Sequence, residues 1–158
     1  MLTVRTPRQV ENARRAIVRI GKLSDNIVGV GPFGIGIDGI LAWVPGLGDL
    51  YSIAAGGMLL LLGVRTRAPV GTLIQVGMLV GLRSVIGAAA LPFLGPFYPA
   101  AGAVVDLFRG HKMSADLLVK ALDRTVYVEG RKGEPARPEA AEQLATARSQ
   151  GARIVYLG

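Results

Sequence analysis

Four ionisable residues stand almost alone in a long apolar stretch: Asp38, Asp49, Arg83 and Asp106. A charge in apolar surroundings is costly, so each calls for a partner, a capping role or a use. Arg83 lies eleven residues before Leu94 and Asp106 twelve after it. A chain that reverses there sets the two at similar depth on facing arms, where a salt bridge would fix the register of the arms. Asp49 follows Gly48 in Pro45-Gly46-Leu47-Gly48-Asp49 and is placed to cap a helix by accepting backbone N–H bonds. Asp38 has no partner at a suggestive spacing and is the candidate for an ion or proton site.

No catalytic set accompanies them. The single histidine, His111, sits in the basic run Arg109 to Lys112 without an acidic or histidine companion at ligand spacing, so no metal site is expected and the ring is expected in solvent. Ser52 and Ser84 have no base at a recognisable spacing, and cysteine is absent. Gly29-Val30-Gly31-Pro32-Phe33-Gly34 matches the dinucleotide-binding fingerprint letter for letter. That fingerprint needs a strand before it and a helix after it. With Pro32 inside the would-be loop, the segment reads instead as a flexible lead-in to the apolar block. The expectation is a protein that is not an enzyme and holds no cofactor.

The elements that would position these residues follow from charge segregation. The chain has 158 residues, 51% of them hydrophobic, with a formal net charge of +7. Residues 1–26 hold six Lys/Arg against two acids, residues 27–108 three of each, and residues 109–158 nine against six. A block of 82 residues with six charges, in which Gly, Leu, Val and Ala run round every helical face, reads as membrane-embedded. The arginine-studded N-terminus lacks the apolar core of a signal peptide. Nucleic-acid binding is not expected, because the basic residues flank an apolar block without an aromatic platform.

Thr6-Pro7 offers an N-cap followed by proline at the first helical position, and Val10, Ala13, Ile17, Ile20 and Leu23 recur at helical spacing among arginines. The result is a basic amphipathic helix, lying either on anionic headgroups or against the rest of the protein. Sliding the apolar block by 47 positions superimposes Pro45, Leu47, Gly48 and Tyr51 on Pro92, Leu94, Gly95 and Tyr98. Each half then reads as a helical hairpin about a Pro/Gly turn, with basic residues (Arg65 and Arg67, then Arg109 and Lys112) closing the second arm. Those second arms, 50–64 and 97–108, would be only about 22 Å and about 18 Å long against an apolar core of about 30 Å. Four short spans and two re-entrant hairpins are therefore both open. The positive-inside rule puts both termini on the cytoplasmic side. Gly77 and Gly81, four apart, form a small-xxx-small face suited to close helix packing within or between chains. Ser114 is expected to cap a helix running to about Arg124. Thr125–Val128 and 153–157 are expected as short strands flanking a helix from Pro138 to about Gln150 that Gly151 ends, with the strands pairing to another chain or a second copy.

The expected architecture is an all-α membrane protein of two repeated helical hairpins, in four short or re-entrant segments. It divides into a basic amphipathic helix (1–26), a membrane-embedded repeat (27–112) and a small soluble α+β cytoplasmic tail (113–158).

The stretch Ile37-Asp38-Gly39-Ile40-Leu41-Ala42-Trp43-Val44-Pro45-Gly46-Leu47-Gly48-Asp49-Leu50 resembles the signature of a family of small, mostly bacterial proteins, domain of unknown function 4112, over roughly residues 20–124. In that family an Asp precedes an apolar run ending in Pro-Gly-x-Gly-Asp, and a second Pro-x-x-Gly-Asp element follows. The resemblance thus implies that the internal repeat is a family trait and that the protein belongs to the bacterial inner membrane. It implies no activity. In the second half Val85 stands where Asp38 stands in the first, and Pro96 where Asp49 stands, which disfavours a symmetrical acidic site. The leading expectation is a non-enzymatic integral membrane protein serving as an accessory or scaffolding subunit, with lipids, other membrane subunits or its own copies as partners. The alternative is a small transporter or channel built on the broken hairpins and Asp38.

Overall fold

A computed structural model describes residues 3–25, 28–30, 33–35, 47–94, 110–133 and 138–158. In chain order the elements are α1 (Pro7–Asp25), β1 (Val28–Val30), β2 (Phe33–Ile35), α2 (Leu47–Arg65), α3 (Val70–Leu94), α4 (Gly110–Asp123), β3 (Thr125–Val128), α5 (Pro138–Ser149) and β4 (Arg153–Tyr156). Helix α1 starts where the sequence places it. Thr6 Oγ1 accepts from the Gln9 amide at 3.3 Å, and Gln9 Oε1 returns the favour to the Arg5 amide at 2.8 Å, a variant of the capping box.

Helix α4 is the spine. It packs most extensively on α1 and α3, and also meets α2. Its Ala115, Leu118 and Leu122 join Ala13 and Ile17 of α1, Leu59 and Leu62 of α2, Ala68, and Val76 of α3 in one core. Two glycines allow the close approach. A Cβ on Gly21 would lie 2.8 Å from the Ala115 Cβ, and one on Gly63 would lie 2.7 Å from Leu73 Cδ2 and 2.9 Å from Leu118 Cδ2. A third, Gly56, brings α2 against Val80 of α3, with the nearest methyl 2.5 Å from the place of a Cβ. Arg14 Nε donates to Asp123 Oδ1 at 3.1 Å, so α1 runs antiparallel to α4.

Several expectations are corrected. Among the described residues no helix is long and apolar enough to cross a membrane, which overturns the all-α membrane fold of spanning or re-entrant hairpins. The physical reason is division of labour: on each helix of the apolar block, part of the surface fills a protein core shared with α1 and α4. The observed reversal lies at Thr66–Pro69, between α2 and α3, where the sequence suggested a link between two hairpins. Gly48 and Asp49 fall in the first turn of α2 and Pro92 near the end of α3, so none of the three sits in a reversal.

Helix α1 turns Ala13, Ile17 and Gly21 onto α4, so its apolar face is used inside the protein and is not available to headgroups. On either side of the would-be phosphate loop, Val28–Val30 and Phe33–Ile35 pair antiparallel, with Gly29 opposite Gly34; Gly31 and Pro32 lie outside the described residues. Strands β3 and β4 pair with each other, in parallel and around α5, where another chain was expected. Gly151 does end α5: at φ 63° it closes a Schellman motif in which the Ala152 amide reaches Ala147 O at 2.9 Å. Ser114 does not cap a helix; it lies inside α4, fully buried.

Two glycine substitutions read the packing directly. Gly21→Ala is expected to lower stability by about 1–3 kcal/mol, because the Ala115 Cβ is fixed to the backbone and one helix must shift. Gly77→Ala, with open space around it, is expected to be neutral or stabilising by up to about 1 kcal/mol. Chemical denaturation of the two variants beside the parent checks both.

Candidate functional site

The turn between α2 and α3 is built with unusual investment. The Ala68 amide donates to Gly63 O at 2.9 Å and the Arg67 amide to Val64 O at 2.9 Å, again the Schellman pattern. The left-handed position that glycine normally fills is held here by Arg67, at φ 53°. A residue with a Cβ costs about 1–2 kcal/mol there. The side chain gives the compensation: its Nη1 donates to Tyr156 O on β4, while Arg153 Nη1 donates to Arg67 O. Tyr127 on β3 adds a third tie, its hydroxyl donating to Thr66 O at 2.7 Å. The Thr66 hydroxyl is turned back to Leu62 O at 2.9 Å, and the Val4 amide donates to Arg65 O at 3.0 Å. The C-terminal β-α-β unit and the segment before α1 thus both grip one helical turn.

Burial raises the Tyr127 hydroxyl above its ordinary pKa of 10.0, with the positive charges of Arg153 and Arg67 pulling the other way. The neutral phenol is the form the folded protein prefers, because only it can donate to Thr66 O.

Leading away from this turn is an exposed apolar face. On α2 it consists of Leu50, Ile53, Ala54, Gly57, Met58, Leu61 and Val64, and on α3 of Val70, Gly71, Ile74, Met78, Gly81 and Leu82, with Gln75 its one polar member. Val70 is 71% exposed, Met78 67% and Leu50 64%. Of the eleven exposed large hydrophobic side chains among the described residues, nine lie on these two helices. The recurrence at i, i+3, i+4 and i+7 makes each row a straight stripe. Gly77 and Gly81 belong to this outer side of α3, and nothing lies within 4 Å of a Cβ built on either. The close approach expected of that pair is not made inside the described chain; Gly21, Gly56 and Gly63 make it instead.

The remaining candidates divide cleanly. Asp38, Pro45, Gly46, Gly95 and Asp106 lie outside the described residues, and so does the expected Arg83–Asp106 bridge. Asp49 and Arg83 are placed on α2 and α3 respectively. His111 is 2% exposed, not solvated. Its Nε2 lies 3.0 Å from the main-chain oxygen of buried Ser52. A carbonyl only accepts, so that nitrogen carries the proton and is committed to the backbone. The contact is not the hydroxyl-to-imidazole arrangement of an activated serine. Neighbouring Ser114 is wholly buried, and its Oγ has no hydrogen-bond partner among the described residues.

Sequence reasoning missed Thr66, Arg67, Tyr127 and Arg153 as a group, since the contacts span 61 and 86 positions and no local signal announces them. Gly56 and Gly63 were missed too, although a local signal exists: seven apart, they share a helix face with Ser52 and Leu59.

Among the described residues these elements define a small helical protein with a β-α-β appendage and an exposed apolar face on α2 and α3. The model of the domain of unknown function DUF4112 matches residues 13–122, and the chain belongs to that family. The match ends at Leu122, inside α4, so β3, α5 and β4 lie beyond it. No curated protein and no solved structure matches the chain.

Tyr127→Phe is expected to cost about 1–2 kcal/mol, by leaving Thr66 O without its donor. Because the folded protein holds the Tyr127 proton more tightly than the unfolded chain does, the parent loses stability as pH rises past 10.0 and through the raised folded value. The Phe variant lacks that increment of loss. Thermal melts of both proteins between about pH 8 and 11 measure the difference.

Proposed function

We propose that this chain is a non-enzymatic accessory protein of the bacterial inner membrane, held there by the outer face of the α2–α3 hairpin and not by a helix that crosses the bilayer. The observation that carries the reading is the stripe itself. From Leu50 to Val64 and from Val70 to Leu82 the exposed residues are Leu, Ile, Met, Val, Ala and Gly, with Gln75 the single polar one among those described. Water is a poor solvent for such a face: each fully exposed side chain of this kind forgoes about 1.5–3 kcal/mol of burial. The occupant favoured is lipid over a soluble protein, because protein interfaces carry a polar rim and regular hydrogen bonds, which this face does not offer.

The row from Leu50 to Val64 extends about 21 Å at 1.5 Å per residue, comparable to the depth of one leaflet with its headgroups and short of a full crossing. A face of this kind engages the bilayer from one side. The commitment of His111 Nε2 to a main-chain carbonyl supports the non-enzymatic part of the reading. The ordered β-α-β unit, outside the family match, supports the accessory part: it offers a second surface on the far side of the clamped turn.

The double variant Ile74→Glu with Met78→Glu tests the attachment. Neither side chain belongs to the core, so the fold is expected to persist while the protein moves from the membrane pellet to the supernatant on fractionation. Unchanged sedimentation with membranes defeats the reading. Mild-detergent extraction and sizing test the accessory role, which requires a second protein at fixed ratio; a lone monomer or homo-oligomer retires it.

A further inference from the structure

The arginines at the turn end of the hairpin form a connected group. The Val4 amide bonds to Arg65 O, which brings Arg5 beside the end of α2. Arg153 Nη1 bonds to Arg67 O, and the Arg153 amide bonds to Arg124 O at 3.1 Å. Arg5, Arg65, Arg67, Arg124 and Arg153 are thereby gathered around one turn of helix, from four distant stretches of sequence. None of the five forms an ion pair among the described residues; the two recorded pairs are Arg14–Asp123 and Arg15–Glu11. Asp123, which precedes Arg124, is thus already taken by Arg14. Arg5, Arg65, Arg124 and Arg153 are exposed, and Arg67 is half-buried.

Like charges repel, and five of them gathered with no ion pair among the described residues set up a positive field at that point. The place is informative: Val64 and Val70, where the two apolar rows begin, flank the same turn.

We propose that this arginine collar docks on the anionic headgroups of a bilayer, with phosphate as the recognised group, while the apolar rows behind it enter the acyl region. The proposal rests on the reading of the stripe as lipid-facing and adds to it a partner chemistry and a direction of insertion. Arginine suits the task, because its planar fork can hold two phosphate oxygens at once and stays charged. A nucleic-acid backbone would present the same phosphates. Lipid is favoured because the collar adjoins an uncharged apolar face, and the ring of Tyr127, the aromatic residue bonded into the same turn, is part-buried against the core and not free as a stacking platform.

The test uses the full chain and a triple variant, Arg5→Gln, Arg65→Gln and Arg124→Gln. The contacts of these three within the turn run through their backbones, so the fold is expected to survive; an unchanged melting curve verifies it. Arg67 and Arg153 are spared because their guanidinium groups hold the turn. Flotation is measured with vesicles of phosphatidylcholine alone and of phosphatidylcholine with phosphatidylglycerol. The parent is expected to prefer the anionic vesicles, increasingly so at low salt. The triple variant is expected to lose roughly 100-fold in affinity for them, at about one decade or a little less per arginine, and little for the neutral ones. Equal binding of the parent to both vesicles, or an unchanged triple variant, overturns the collar while leaving the stripe intact. Failure of the parent to bind either vesicle overturns the stripe and the collar together. Binding of a short DNA duplex as tightly as anionic vesicles, lost in the same variant, assigns the collar to nucleic acid and also overturns the proposal.

Discussion

Helix α4 lies against α1, α2 and α3 at once, and it comes close to α1 and α2 because those backbones present glycine at the points of contact. Gly21 leaves room for the Ala115 Cβ, and Gly63 lets Leu118 and Leu73 press together on the backbone of α2. Leu118, fully buried, is therefore a hub between elements far apart in sequence. Interiors are close-packed, so a single methyl group at such a point moves a helix and does not merely fill a space. The Arg14–Asp123 pair at the end of the α1–α4 contact is exposed on both sides and adds little beyond register.

The same packing creates the turn that unites the two ends of the chain. Once α2 and α3 are pinned by Gly56 against Val80 and by Gly63 against Leu73, the reversal between them must be tight. A tight helix ending wants a left-handed residue. Arg67 accepts that conformation, at an energetic cost, and its guanidinium reaches the carbonyl of Tyr156. The strain and the clamp are one feature, since a glycine at this position would relax the backbone and remove the tie to Tyr156. The β-α-β unit is thus tied to the turn by three side-chain donors, Arg67, Tyr127 and Arg153, each reaching a main-chain oxygen across the contact.

Burying one side of α2 and α3 on α4 and α1 leaves the other side exposed, and that side is as apolar as the core. The helices carry too few polar residues to cover both. This is why charge segregation in the sequence reappears as spatial segregation: an uncharged face along the hairpin and an arginine cluster at its turn. The two readings proposed above both follow from this single asymmetry.

How much of this was legible beforehand depends on the range of the interaction responsible. The start of α1 was readable from Thr6-Pro7, the end of α5 from Gly151, and the two terminal strands from their alternating residues, because caps, breakers and periodicity act within a few positions. Family membership was readable from the Asp38–Asp49 segment for the same reason. What local reading could not decide was the use of each apolar face. Uniform hydropathy made α2 and α3 look like membrane spans, and His111 beside Lys112 looked solvated, until the approach of α4 made one face a core and buried the ring. The parallel pairing of β3 with β4 and the gathering of arginines from residues 5, 65, 67, 124 and 153 were likewise beyond the sequence. They depend on which distant backbones come within reach of one another, and that is decided by helices packing over glycine, in three dimensions.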